Sequence, residues 1–149
     1  MSLDNSWKGI DRHGMLLAFD EAQNSYQQGG IPIGSVLLVQ DPTESDGYKI
    51  LGSGHNERIQ KSSATLHGEI SALENAGRLR AEIYRKATII PRVVIGENTT
   101  FMGGEVLLQQ SGVEVVVQDR QDCKDLMQKF ISEKPGEWNE DIGEVADRD

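Results

Sequence analysis

The chain has 149 residues and a net charge of −9, from 15 Lys and Arg against 24 Asp and Glu, which suits one domain with no basic footprint for nucleic acid. Apolar residues, glycine included, make up about 46%, so disorder throughout is excluded, and no run approaches the roughly 18 apolar residues of a membrane span. The one cysteine, Cys123, excludes an intrachain disulfide and a zinc cage built from cysteines, and Met1 to Asp11 lacks the apolar block of a secretory signal. The expected setting is reducing and intracellular.

In chain order, Met15, Phe19, Ala22 and Tyr26 recur at helical spacing before Gly29-Gly30, predicting a helix over Asp11 to Gln28. Ile33 to Val39 reads as a strand that returns through Tyr48 to Leu51, an antiparallel hairpin around the polar loop Gln40 to Gly47. A glycine-bearing loop, Gly52 to Ser63, leads to a helix with Thr65 at its N-cap and Gly77 at its end. Val93 to Ile95 and Val113 to Val117 are short strands. Cys123, Met127, Phe130 and Ile131 mark a last helix that ends near Pro135. Strands interleaved with helices predict a three-layer α/β domain with a central sheet flanked by helices. From Ser132 to Asp149 seven acidic residues face two basic ones, an end whose plain reading is solvated and frayed.

One stretch breaks the pattern. Lys-Ala-Thr-Ile-Ile-Pro-Arg-Val-Val-Ile, residues 86 to 95, is strand-like with Pro91 in its middle. Proline removes a ladder donor, and two parallel strands need a crossover of a dozen or more residues between them. Either the stretch is one bent edge strand or a crossover is missing.

Chemistry-bearing residues are few. His13 falls on the polar side of the first helix. His55 sits in a glycine-rich loop, where it and Asn56 can serve as turn formers. His67-Gly68-Glu69 opens the second helix, where an imidazole can ligate zinc while a carboxylate two residues on moves protons. By chance alone this triplet appears in about one such chain in four, and a first-turn glutamate also complements the helix dipole.

The surroundings are more specific. Residues 65–79, Thr-Leu-His-Gly-Glu-Ile-Ser-Ala-Leu-Glu-Asn-Ala-Gly-Arg-Leu, closely resemble the zinc-site helix of the fungal-type cytosine deaminases. So do Gly29-Gly30-Ile31-Pro32-Ile33-Gly34, the run Gly52-x-Gly54-His55-Asn56-x-Arg58, and Val94-Ile95-Gly96-Glu97-Asn98. Trp138 to Glu144 resembles that family's C-terminal lid. The resemblance spans about Trp7 to Glu144, and implies a single deaminase-like domain over residues 1–149 with an acidic lid or tail at 132–149. It further implies a cytidine-deaminase-like fold, a homodimer, a cytoplasmic setting with the nucleus as a second compartment, and zinc-dependent hydrolysis of cytosine to uracil and ammonia in pyrimidine salvage. A tRNA- or nucleoside-type deaminase fits less well, given the acidic charge, Gly68 and the lid.

Carried over residue by residue, the resemblance makes His67 a zinc ligand and Glu69 the catalytic proton shuttle. Asn56 would bond the polar edge of cytosine with the backbone of Gly68 close to the ring. Asp141 would accept from the exocyclic amine, and Phe101, Trp138 and Ile33 would close over the ring faces. Trp138 as a hydrophobic anchor and Asp141 as one more tail acid stand beside these roles. The family's Pro-Cys-x-x-Cys element is absent: Thr88-Ile89 runs straight into Ile90-Pro91-Arg92. A strand end and crossover helix on the order of 15–20 residues is missing between Thr88 and Arg92. Two zinc ligands go with it, and Cys123 lies on the apolar face of the last helix, away from a ligand position. The chain is then expected to hold zinc weakly or not at all and to leave cytosine unchanged. It is either a shortened cytosine deaminase or a non-catalytic partner of an intact paralogue, and the exposed apolar surface predicts instability when it is expressed alone.

Overall fold

The computed structural model describes residues 3–83, 92–100 and 104–143. Helix α1 (Leu3–Gln27) is followed by strands β1 (Gly34–Gln40) and β2 (Tyr48–His55) and by helix α2 (Gly68–Ala76). After these come β3 (Arg92–Ile95), α3 (Glu105–Gln110), β4 (Glu114–Val117), α4 (Gln121–Glu133) and α5 (Pro135–Asp141).

The β1–β2 hairpin is antiparallel, pairing Gly34 with His55 and Gln40 with Tyr48, with a register shift between Leu37 and Leu38. Paired residues share a face, and the two faces alternate along each strand. Gly34, Val36 and Leu38 face α1: a Cβ on Gly34 would lie 1.9 Å from the Ala18 carbonyl oxygen, and Leu38 Cδ2 lies 3.0 Å from the Cβ position of Gly14. Gly52 and Gly54 face α2, where added Cβ atoms would meet the Ala72 carbonyl oxygen at 2.4 Å and Ser71 Oγ at 2.5 Å. The hairpin is therefore a middle layer with one helix pressed directly onto each side. Glycine within a strand marks such a close backbone approach. That is why β2 continues through Gly52 to His55, which composition alone assigns to a loop. Gly34→Ala is expected to destabilise the fold by about 3 kcal/mol, because the backbone of α1 at Ala18 and Ala22 must move away from β1. A lowered urea midpoint at unchanged slope checks this.

Helix α1 begins at Leu3 rather than near Asp11, because Trp7 and the buried Ile10 extend its apolar stripe. The main core lies at the far end of the same helix, where Ile31, Met127, Phe130 and Trp138 pack together with Tyr26 and Ile33 against them. The helix through Cys123 and Phe130 ends at Glu133, near Pro135 as expected, but it is not the last: Pro135 also opens α5 from its first position, where its missing N–H costs nothing. Helix α3 has no buried residue among its six, and so left no apolar stripe to read.

The central sheet is present as two pairs. β3 pairs with β4 in parallel, Arg92 beside Glu114 and Ile95 beside Val117, in a sheet separate from the hairpin. Arg92 anchors this second pair to α1. Its guanidinium bonds Asp11 Oδ2 at 2.6 Å, pairs with Glu114, and lies 5.7 Å over the Trp7 ring. Between the pairs lies a cavity of about 780 Å³, lined by all of β1, all of β3 and the inner stripe of α1. A single sheet would need β1 and β3 joined through further strand, and among the described residues none lies between them. Residues 84–91, with the proline-interrupted stretch, lie outside the described residues.

Candidate active site

His67 is the N-cap residue of α2, with extended backbone (φ −67°, ψ 166°) and no side-chain capping bond. Thr65, two residues earlier, is not the cap. The His67 carbonyl receives the Ser71 N–H at 2.9 Å, which starts the helix. Gly68 is buried, and a Cβ there would come within 3.2 Å of the Ile33 carbonyl oxygen. Glu69 is exposed on the first turn and lines the cavity beside Ile33.

Asn56 joins the same corner. Its N–H donates to the Ile33 carbonyl at 2.8 Å, so Ile33, Asn56 and Gly68 meet around one oxygen. The side chain is fully buried. Its Oδ1 accepts from the Arg58 N–H at 3.1 Å, while Nδ2 has no partner. A buried donor left unpaired costs about 1–3 kcal/mol, so this group suits a ligand acceptor. Ser25 and Gln60 hold the Asn56 backbone: the Ser25 hydroxyl lies 2.8 Å from the Asn56 carbonyl oxygen, and Gln60 Nε2 donates to that oxygen at 3.1 Å. Sequence reasoning missed both residues. Ser25 sits among apolar neighbours on the buried face of α1, which was the available signal.

Arg58 extends from the same loop to form an ion pair with Asp141 at the end of α5, both largely buried. Asp141 is thus anchored beside the loop that carries Asn56 and is more than a solvated tail acid. Trp138, one turn earlier in α5, is buried against Ile31, Phe130 and Met127, which is the hydrophobic-anchor arrangement. Phe101 lies outside the described residues.

The remaining candidate ligands are engaged elsewhere. His55 is the last residue of β2 rather than part of a loop. Its Nδ1 lies 2.6 Å from Glu21 Oε2 and its Nε2 3.1 Å from Gln28 Oε1, while Ser53 donates to Glu21 at 2.9 Å. His13 bonds the Tyr48 hydroxyl. Cys123 is half-buried against Gly96 and Met15. Burial, reinforced by the neighbouring Asp122 carboxylate, pushes its thiol up to about 11. Alkylation by iodoacetamide at pH 8 is expected to run at least about tenfold slower than for free cysteine. The raised value favours the folded state below the ordinary thiol range. That contribution falls away as pH rises from about 9 through about 11, and a stability-against-pH series checks it in wild type and Cys123→Ser.

The family described as "Cytidine and deoxycytidylate deaminase zinc-binding region" matches residues 9–99, which hold the hairpin, the Asn56 loop and the His67 helix. The chain belongs to that family. Within it, the sequence is cytosine-deaminase-like: it is 51% identical to the cytosine deaminase of Candida albicans over 152 residues, covering 90% of this chain and 97% of that protein. The tRNA-specific adenosine deaminase of Buchnera aphidicola is 37% identical over 68 residues, 46% of this chain and 40% of that protein. A solved tRNA:A34 deaminase structure superposes with a TM-score of 0.48 at 22% identity, over 71% of this chain and 97% of that one.

The Candida alignment also carries a measure of length. Its 152 positions hold 90% of 149 residues, or about 134, so about 18 positions find no residue here. That is the size of a strand end with a crossover helix. The family's zinc does not fit the donor set. Zinc needs three protein ligands with an open position or four without. Among the described residues no group of three His, Cys, Asp or Glu comes together. Among the described residues His67 has no second donor, because Cys123 faces Gly96 and His55 is held by Glu21 and Gln28.

Proposed function

We propose that this chain keeps the base-binding part of a cytosine-type deaminase site but not the metal-holding part, and so does not convert cytosine to uracil. The observation that carries the reading is the contrast between two halves of one corner. Asn56 Nδ2 is buried and unpartnered beside Ile33 and Gly68, whereas His67 finds no companion ligands among the described residues. Asn56 Nδ2 offers a donor to the ring carbonyl of cytosine, and Gly68 keeps the α2 backbone close to the ring. Asp141, fixed by Arg58, offers an acceptor to the exocyclic amine. Ile33 and the indole of Trp138 close the ring faces, a role the family resemblance also gives to Phe101. Glu69 supplies a carboxylate that can carry a proton to a ring nitrogen. Hydrolysis also needs an oxygen nucleophile competent at neutral pH, and no donor set here would lower the pKa of water from 15.7.

In this reading the chain is a cytoplasmic, and also nuclear, homodimer derived from a pyrimidine-salvage hydrolase. A second role follows from α3, where Val106 and Leu107 are 59% and 68% exposed: association with an intact paralogue, which the chain stabilises or regulates. Metal analysis after dialysis against excess zinc and then metal-free buffer tests the reading. Well under one zinc per chain is expected, and one zinc per chain surviving the second dialysis would overturn it.

A further inference from the structure

The cavity between the two strand pairs has walls of a particular kind. The Asn56 N–H bonds the Ile33 carbonyl, so residues 33 and 56 form a hydrogen-bonded pair of the antiparallel ladder. Pairs alternate, which turns the backbone groups of Ser35 and Leu37 toward β2 and those of Gly34, Val36 and Leu38 toward the opposite edge. On the other side, the Ile95 carbonyl accepts the Gln118 N–H at 2.8 Å. The backbone groups of Ile95 and Val93 therefore face β4, and those of Val94 and Arg92 face away from it. Neither outer edge pairs with a strand among the described residues, and both strands line the same 780 Å³ cavity.

We propose that this cavity is a slot for one extended peptide strand, supplied by another polypeptide, that bonds the outer edges of β1 and β3 together. Two facing rows of backbone donors and acceptors ask for a ligand with the same repeat on both sides. An extended backbone has that repeat; a small planar molecule does not. Side-chain chemistry follows from the lining. Met15, Ala18, Ala72, Leu73, Leu126 and Met127 favour an apolar, β-branched strand. Leu73 is 47% exposed in the absence of one. Charge follows too: Arg92 is neutralised by Asp11 and Glu114, which leaves Glu69 and Glu97 on the lining of a chain carrying −9. The fitting strand therefore has cationic flanks. The slot depends on the fold alone, and its failure would leave the zinc reading untouched.

Amide hydrogen exchange on the full chain tests it, with acetyl-Lys-Val-Thr-Val-Thr-Val-Lys-amide as the probe. The same peptide with its central valine replaced by proline, which removes a donor and bends the strand, is the control. The probe should slow exchange at the Val36 and Val94 amides by about tenfold or more, with the control without effect. Three results would overturn the proposal: no change with the probe, equal protection by both peptides, or Val36 and Val94 already protected in the free chain, which would mean the chain fills the slot itself.

Discussion

Restoring the missing stretch is expected to convert this chain into a zinc protein that deaminates cytosine. The graft is a strand end with its crossover helix from the Candida relative, placed between Thr88 and Arg92, where the sequence departs from the family's Pro-Cys-x-x-Cys pattern. The Asn56 loop, the His67-Gly68-Glu69 start of α2 and the Arg58–Asp141 pair are already assembled around the Ile33 carbonyl. The graft has only to bring the two missing ligands to His67 and a strand to the edges of β1 and β3. Zinc should rise to one per chain, and cytosine turnover should appear where none is expected of the parent. In the grafted chain, Glu69→Gln should lower turnover by about 100- to 10,000-fold with zinc content unchanged, the usual worth of a positioned proton shuttle. Zinc loading without turnover, or equal turnover in the Glu69→Gln graft, would show that the base-binding corner is not what it is proposed to be.

The largest effect on stability is expected from Phe130→Ala. Phe130 is 1% exposed and packs with Ile31, Met127 and Trp138, the cluster that joins α4 and α5 to the Gly30–Ile33 turn. Its removal leaves a cavity between three elements and should cost about 4 kcal/mol. Set against a whole-domain stability of about 5–15 kcal/mol, that is enough to populate the unfolded chain at room temperature. It also releases α5, and with it Asp141 from Arg58, so the candidate site should loosen along with the core. Circular dichroism in urea reads the loss. A change below about 1 kcal/mol would mean that this cluster does not hold the fold.

Much of this arrangement was legible in the sequence because its signals are local. The 3.6-residue stripe through Met15, Ala22 and Tyr26 gave α1, and the Pro32-to-Val39 run gave β1. The five family motifs, in register, placed Asn56, His67 and Glu69 at one corner. The errors have physical causes. Gly52 and Gly54 look like loop residues by propensity, but the backbone of α2 presses against them and demands glycine in a strand. Pro135 does mark the end of α4, but the short helix α5 that it also opens was missed, because a helix's first turn has no use for its missing N–H. The two contacts of Glu21, with Ser53 and with His55 at the end of β2, are invisible without the fold, because the partners are more than thirty residues away. The division of the sheet was legible only as a conflict, a proline inside a strand-like run. Most of that run lies outside the described residues, and the described ones form two strand pairs, β1–β2 and β3–β4.

The central claim is that the metal-holding half of the site is not assembled, and cytosine turnover by the chain as it stands tests it most directly. The purified protein is incubated with cytosine and excess zinc at neutral pH, and ammonia release and uracil formation are followed together. Both are expected to stay at the rate of buffer with zinc alone. Uracil and ammonia appearing in equal amounts, in proportion to protein and abolished by Glu69→Gln, would contradict the account.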